Sequence, residues 1–168
     1  MAKVIFIEPL NVLNTKSYQR RLRDLNKGRS SSVYEESFDP TKINMLLEIM
    51  SLTDAQIMIC SEWRCCPEKM SILMDNFQKV GITPDSGIFG IMSIQEKGLT
   101  KNESLSRFLS MRDRLGIEKY VIIDSKLNED YLDLPNTFHT TQLDEGLTED
   151  IKSLIISYFG LSDLKLRK

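Results

Sequence analysis

The chain has 168 residues, enough for one domain with a substantial core, and its 41% hydrophobic content is ordinary for a globular protein. A formal net charge of −2 excludes a polycation, and no apolar run approaches the ~18 residues needed to cross a bilayer. Three cysteines (Cys60, Cys65 and Cys66), two of them adjacent, argue against a disulfide framework and for a reducing cytoplasm, and no Cys/His spacing fits zinc.

The first element is Val4-Ile5-Phe6-Ile7, a continuous apolar run of the kind found in a central strand of a parallel sheet. A buried-type strand that starts at once is not the pattern of a signal peptide, and none is expected. The run ends on Glu8, and Pro9 and Asn11 then turn the chain past the carboxyl end of the strand, where ligands gather in open α/β sheets. Lys16 to Ser37 is the least regular stretch. It holds Lys16, Arg20, Arg21, Arg23, Lys27 and Arg29 against Asp24, followed by Gly28, three serines, Glu35 and Glu36. Tyr18, Leu22 and Leu25 have helical spacing, so its first half is expected to be a short helix. The segment is either a solvated loop-helix or a basic patch for nucleic acid or an acidic protein, because clustered arginines supply phosphate contacts.

Asp39-Pro40 signals a helix start, with Ile43, Leu46, Leu47 and Met50 as its buried stripe and an end near Ser51. Gln56 to Ser61 is the second strand and leads into Ser61-Glu62-Trp63-Arg64. Cys66-Pro67 opens a helix with Met70, Leu73, Met74 and Phe77 on one face and Gly81 as its C-cap. Ile82 to Met92 is a loop holding a short strand, Ile88–Ile91. Thr100-Lys101-Asn102-Glu103 is a capping box, followed by Leu105, Phe108 and Leu109. Tyr120 to Asp124 is a third buried strand ending in a carboxylate, with Ser125 next. A further short strand is expected around Phe138, with His139 at its end rather than as a ligand. A last helix carries Leu154, Ile155, Tyr158 and Phe159, and the basic tail Lys165 to Lys168 is expected to fray.

Three of these segments, in this order, resemble the haloacid dehalogenase (HAD) superfamily, in particular the small HAD domains of RNA-repair ("Swiss Army Knife") proteins. The first family motif reads Asp-x-Asp-Gly-Val-Leu-Asn. Here Val12-Leu13-Asn14 is kept, while Glu8 stands for the nucleophilic Asp, Leu10 for the second Asp and Asn11 for the Gly. Ser61, Trp63 and Arg64 match a Ser-Ser-Trp-Arg second motif, with Glu62 as the departure. The resemblance gives Ser61 a hydrogen bond to substrate phosphate and makes Lys101 the counterpart of a phosphate-neutralising cation. A solvent-exposed Lys101 is the competing reading. Asp124 matches one of two magnesium-holding acids, and Ser125 replaces the other.

Strand-helix alternation and the resemblance both imply a three-layer α/β sandwich with a mainly parallel sheet, HAD-like (Rossmannoid), over residues 1–168 with a basic insert at about 16–37. The HAD reaction needs an aspartyl nucleophile, a second acid and magnesium. Glu8 is longer than Asp, and a ~1 Å misplacement can cost ~10²-fold in rate. Leu10 transfers no proton, forfeiting a further ~10²–10⁴-fold. Two carboxylates without further partners, Glu8 and Asp124, make a poor magnesium site, so no cofactor is expected. Carboxylates crowded at a strand edge repel one another, so if no metal binds, Asp124→Asn should leave stability unchanged or raise it.

The expectation is therefore a non-catalytic HAD-like binding protein without a membrane role. Arg20, Arg21, Arg23, Lys27, Arg29, Trp63 and Arg64 would be its binding residues, and protein or nucleic acid its partner. The alternative is a magnesium-dependent phosphatase with an altered site, using Glu8 or a water held by Asp124. Only two alanines against many Ile, Lys, Asn and Met is the usage of AT-rich genomes such as those of phages. Size and usage are similar to those of T-even phage transcription terminators, which act with host RNA polymerase on DNA; no motif carries that likeness.

Overall fold

The first strand of the chain becomes the middle of the sheet. The computed structural model describes residues 1–25, 37–60, 66–92, 100–125, 134–140 and 145–160. Within them β1 (Ala2–Ile7) lies between β2 (Ala55–Ile59) and β4 (Ile117–Asp124), with β3 (Ile88–Ile91) and β5 (Thr137–His139) outside. The order is β3-β2-β1-β4-β5, and every pairing is parallel.

A parallel sheet must bury both faces, and alternation along β1 shows how this is done. Ile5 and Ile7 join one core with Leu46 and Ile49 of α2 (Pro40–Thr53), Leu73 and Phe77 of α3 (Pro67–Gln78), and Ile155 and Phe159 of α5 (Glu149–Gly160). Val4 and Phe6 join the other with Leu105 and Leu109 of α4 (Lys101–Ser110). Phe6 meets Phe108 and Tyr120 edge-on, at centroid distances of 5.7 and 6.0 Å. The result is the expected three-layer α/β architecture.

The elements fall close to their sequence signals, with informative departures. α2 runs to Thr53, two residues past the expected end, because Asp54 supplies the left-handed turn (φ 56°) that stops it. Its buried stripe includes Ile49 and Thr53, while Leu47 and Met50 are only partly buried. Leu154 of α5 is 57% exposed, and Ile151 packs against the core where Leu154 was expected. Gly81 (φ 83°) lies beyond the C-cap of α3, which is Lys79. Strand order matters most for function. From β1 the chain steps outward to β2 and β3, then returns past β1 to β4, so the topological switch point lies between β1 and β4.

Candidate functional site

Glu8 and Asp124 sit at that switch point. Asp124 is the last residue of β4, and Glu8 follows β1 directly, its N–H donating to Ile123 O at 3.1 Å. Lys101 reaches them from the other layer as the first residue of α4. The capping box fixes that start: the Thr100 hydroxyl accepts from Glu103 N, and the Glu103 carboxylate accepts from Thr100 N at 2.8 Å. Lys101 Nζ donates to Asp124 Oδ2 at 2.6 Å and to Glu8 Oε2 at 3.2 Å. All three side chains are buried, with Lys101 at 7%, Glu8 at 2% and Asp124 at 1% exposure. Lys101 is therefore not the solvent-exposed lysine of the competing reading.

Two further oxygens at this edge, Glu8 Oε1 and Leu10 O, are also engaged. The Glu8 side chain folds back on its own loop, where Oε1 accepts from Leu10 N at 3.3 Å. Leu10 O in turn accepts from the Ser125 hydroxyl at 3.1 Å. The loop is held in shape by Val12 and Leu13 N–H groups donating to Pro9 O, and by Asn11 in the left-handed region (φ 60°). Leu147 N donates to Val12 O at 3.0 Å, and Gly146 packs so closely there that a Cβ would stand 2.5 Å from that same oxygen.

Two carboxylates around one ammonium leave the expected repulsion compensated from within the protein. Two carboxylates are a sparse set for magnesium, which demands near-octahedral oxygen ligands and keeps several waters. Glu8 Oε2, Asp124 Oδ2 and Leu10 O already accept from Lys101 and Ser125. Among the described residues, no group of three or more His, Cys, Asp or Glu side chains converges as a metal cluster would. A neighbouring groove of about 530 Å³ adds negative charge, with Glu145, Glu149 and Asp150 beside His139.

The basic residues lie elsewhere. Arg20, Arg21 and Arg23 are on α1 (Lys16–Leu25), which starts just past the Glu8 loop, with the Thr15 hydroxyl accepting from Tyr18 N at 3.2 Å. No α1 residue is buried; Tyr18 and Leu22 are half-buried, and Leu25, expected on an apolar stripe, is 75% exposed. Lys16, Arg20 and Arg23 are all exposed and share one face at i, i+4, i+7. Arg21 is exposed too but engaged: it lies over the Tyr18 ring at 5.2 Å and 3.9 Å from the Asp39 carboxylate, which caps α2 by accepting from Thr41 N. Lys27, Arg29, Ser61, Trp63 and Arg64 fall outside the described residues.

Glu8, Lys101 and Asp124 are thus brought together as their motif positions implied, with α1 at the rim. The sequence marks Ser125 only as a replaced acid; its role as donor to Leu10 O depends on two loops meeting 115 residues apart. A small hydroxyl directly after a strand-ending carboxylate was the available signal.

A central β1 with a carboxylate at its end, a crossover to a second strand-end acid, and a lysine at the following helix start define a HAD-type domain. The family described as HAD domain in Swiss Army Knife RNA repair proteins matches residues 4–151, and the chain belongs to it. Comparison with curated proteins and with solved structures gave no match. The likeness to phage transcription terminators therefore gains no support from these comparisons. Among the described residues, no helix is long and apolar enough to cross a membrane.

Proposed function

We propose that this HAD-type domain is a non-catalytic binding protein that engages nucleic acid, or a protein that works on it, through the basic face of α1. The observation that carries the reading is the state of Glu8. Its two oxygens accept from donors of the protein, Leu10 N and Lys101 Nζ, which hold a side chain one methylene longer than an aspartate folded back on its own loop. Leu10, two residues on, supplies no acid for a leaving group. α1 supports the binding half of the reading, since a helix with no buried residue and a basic face gains little from the core and suits a partner rich in phosphates or carboxylates. In its most specific form the partner is host RNA polymerase or DNA and the outcome is arrest of transcription; that form draws on size and residue usage. The alternative, a magnesium-dependent phosphatase with a rearranged site, draws on family membership.

Phosphate release from a generic phosphomonoester tests the catalytic half. Wild type and Glu8→Ala should give the same background rate with and without magnesium. Magnesium-dependent turnover that disappears in Glu8→Ala would establish the phosphatase reading instead.

A further inference from the structure

We infer that the chain pairs with a second copy of itself across the carboxyl edge of the sheet, the basic face of α1 in each copy seated against the acidic groove beside β5 in the other. Two surfaces of opposite sign lie side by side at this edge. The groove has a volume of about 530 Å³, and Glu145, Glu149 and Asp150, all exposed, line it. Its wall is tied to the loop that leads into α1. Leu147 N donates to Val12 O at 3.0 Å, and a Cβ on Gly146 would stand 2.5 Å from Thr15 Cγ2. α1 begins at the next residue, and Lys16, Arg20 and Arg23 occupy about 10 Å of one exposed face.

The groove suits a donor-rich organic cation better than a metal ion. Among the described residues, its acids do not converge as metal ligands do. His139, which also lines it, has its Nδ1 buried without a hydrogen-bond partner. Buried polar groups are normally paired, so this nitrogen gains from an incoming donor. An arginine fork brings enough donors for a carboxylate and a ring nitrogen together. Neighbouring patches of opposite sign on one molecule are self-complementary. A two-fold axis between them makes every contact twice and closes the assembly at two copies. With a net charge of −2, the copies repel one another little. The pairing itself needs nothing from the nucleic-acid reading. Its consequence, which does rest on that reading, is regulation: a second copy covers the face that would meet phosphates, so copy and duplex compete for α1.

Sedimentation velocity of the purified chain, free of nucleic acid, tests the pairing at about 0.05 M and about 0.5 M salt, because salt screens exposed charges. A dimer is expected to grow with protein concentration at low salt and to dissociate at least about tenfold more readily at high salt. Reversing the helix (Lys16→Glu, Arg20→Glu and Arg23→Glu) or the groove (Glu145→Lys and Asp150→Lys) is expected to abolish it. Glu149 is kept because it pairs with Lys152 at 2.6 Å. An equal mixture of the two reversed variants is expected to restore the dimer, since both contacts regain opposite signs. Should a reversed variant fail to fold by circular dichroism, Glu145→Gln with Asp150→Asn is expected to weaken the dimer at least about tenfold. A monomer at low salt and millimolar protein would overturn the inference. So would a dimer indifferent to these substitutions, or larger species that keep growing with concentration. Duplex binding is read separately. A monomer that binds duplex defeats the pairing and keeps the nucleic-acid reading, whereas a salt-sensitive dimer that never binds duplex does the reverse.

Discussion

At the scale of the residue, the informative comparison is between the two kinds of charge in the buried cluster. Removing Lys101 leaves two carboxylates in a site with almost no exposure, and uncompensated buried charge typically costs about 3–5 kcal/mol. Removing one carboxylate leaves a single ammonium facing a single carboxylate. Lys101→Met should therefore lower unfolding free energy by about 3–5 kcal/mol, whereas Asp124→Asn should stay within about 1 kcal/mol of wild type or exceed it, since its amide oxygen still accepts a hydrogen bond. Urea unfolding of both variants measures this. Equal losses would show that the 2.6 Å contact to Asp124, rather than overall charge balance, holds the site. The positions of this cluster were legible from the motif order, but its closure was not. Whether a lysine at a helix start turns inward depends on the layer that the helix packs against, and nothing local to Thr100-Lys101 encodes that.

At the scale of the element, α4 matters because its first residue is Lys101. The Thr100 N-cap orients that turn, and Thr100→Ala should cost about 0.5–2 kcal/mol of stability, read from the thermal midpoint. The other half of the box gives a pH signature. Hydrogen bonds from Thr100 N and the Thr100 hydroxyl hold the Glu103 carboxyl below its ordinary range. A carboxylate depressed in the folded state contributes stability that is complete above its unfolded value and lost as pH falls through the lower folded one. In acid, wild type should lose this part of its stability while Glu103→Gln shows no corresponding loss; identical acid profiles would remove the box from the account. Strands and capped helices were the most legible elements: Ile88–Ile91 and the Thr100 capping box appear as the sequence implied. α1 was legible as a helix but not as an unburied one, because the spacing of Tyr18, Leu22 and Leu25 implies a core-facing stripe that tertiary packing does not use.

At the scale of the whole molecule, charge is segregated around the carboxyl edge of the sheet. α1 carries Lys16, Arg20 and Arg23 along one face, while the groove beside β5 carries Glu145, Glu149 and Asp150. A net charge of −2 hides this polarity. Replacing Lys16, Arg20 and Arg23 with glutamine should leave the fold intact, since all three are exposed, and should weaken binding to a nucleic acid duplex. The salt slope of binding should fall by about one unit for each phosphate that the variant no longer neutralises. Arg21 is best kept in that variant because of its interactions with Asp39 and Tyr18. Unchanged duplex binding by the folded triple variant would return attention to the pocket edge. The buried cluster also dictates a timetable for the growing chain. Glu8 is made before its partners: 93 residues separate it from the lysine that neutralises it, and β4, which pairs with β1 beside it, comes later still. Until both arrive, the carboxylate must stay hydrated, because sealing it unpaired is costly. β1 and β2 can pair first, but the carboxyl end of β1 has to wait for Lys101 and β4, so this edge closes only after those segments have joined it.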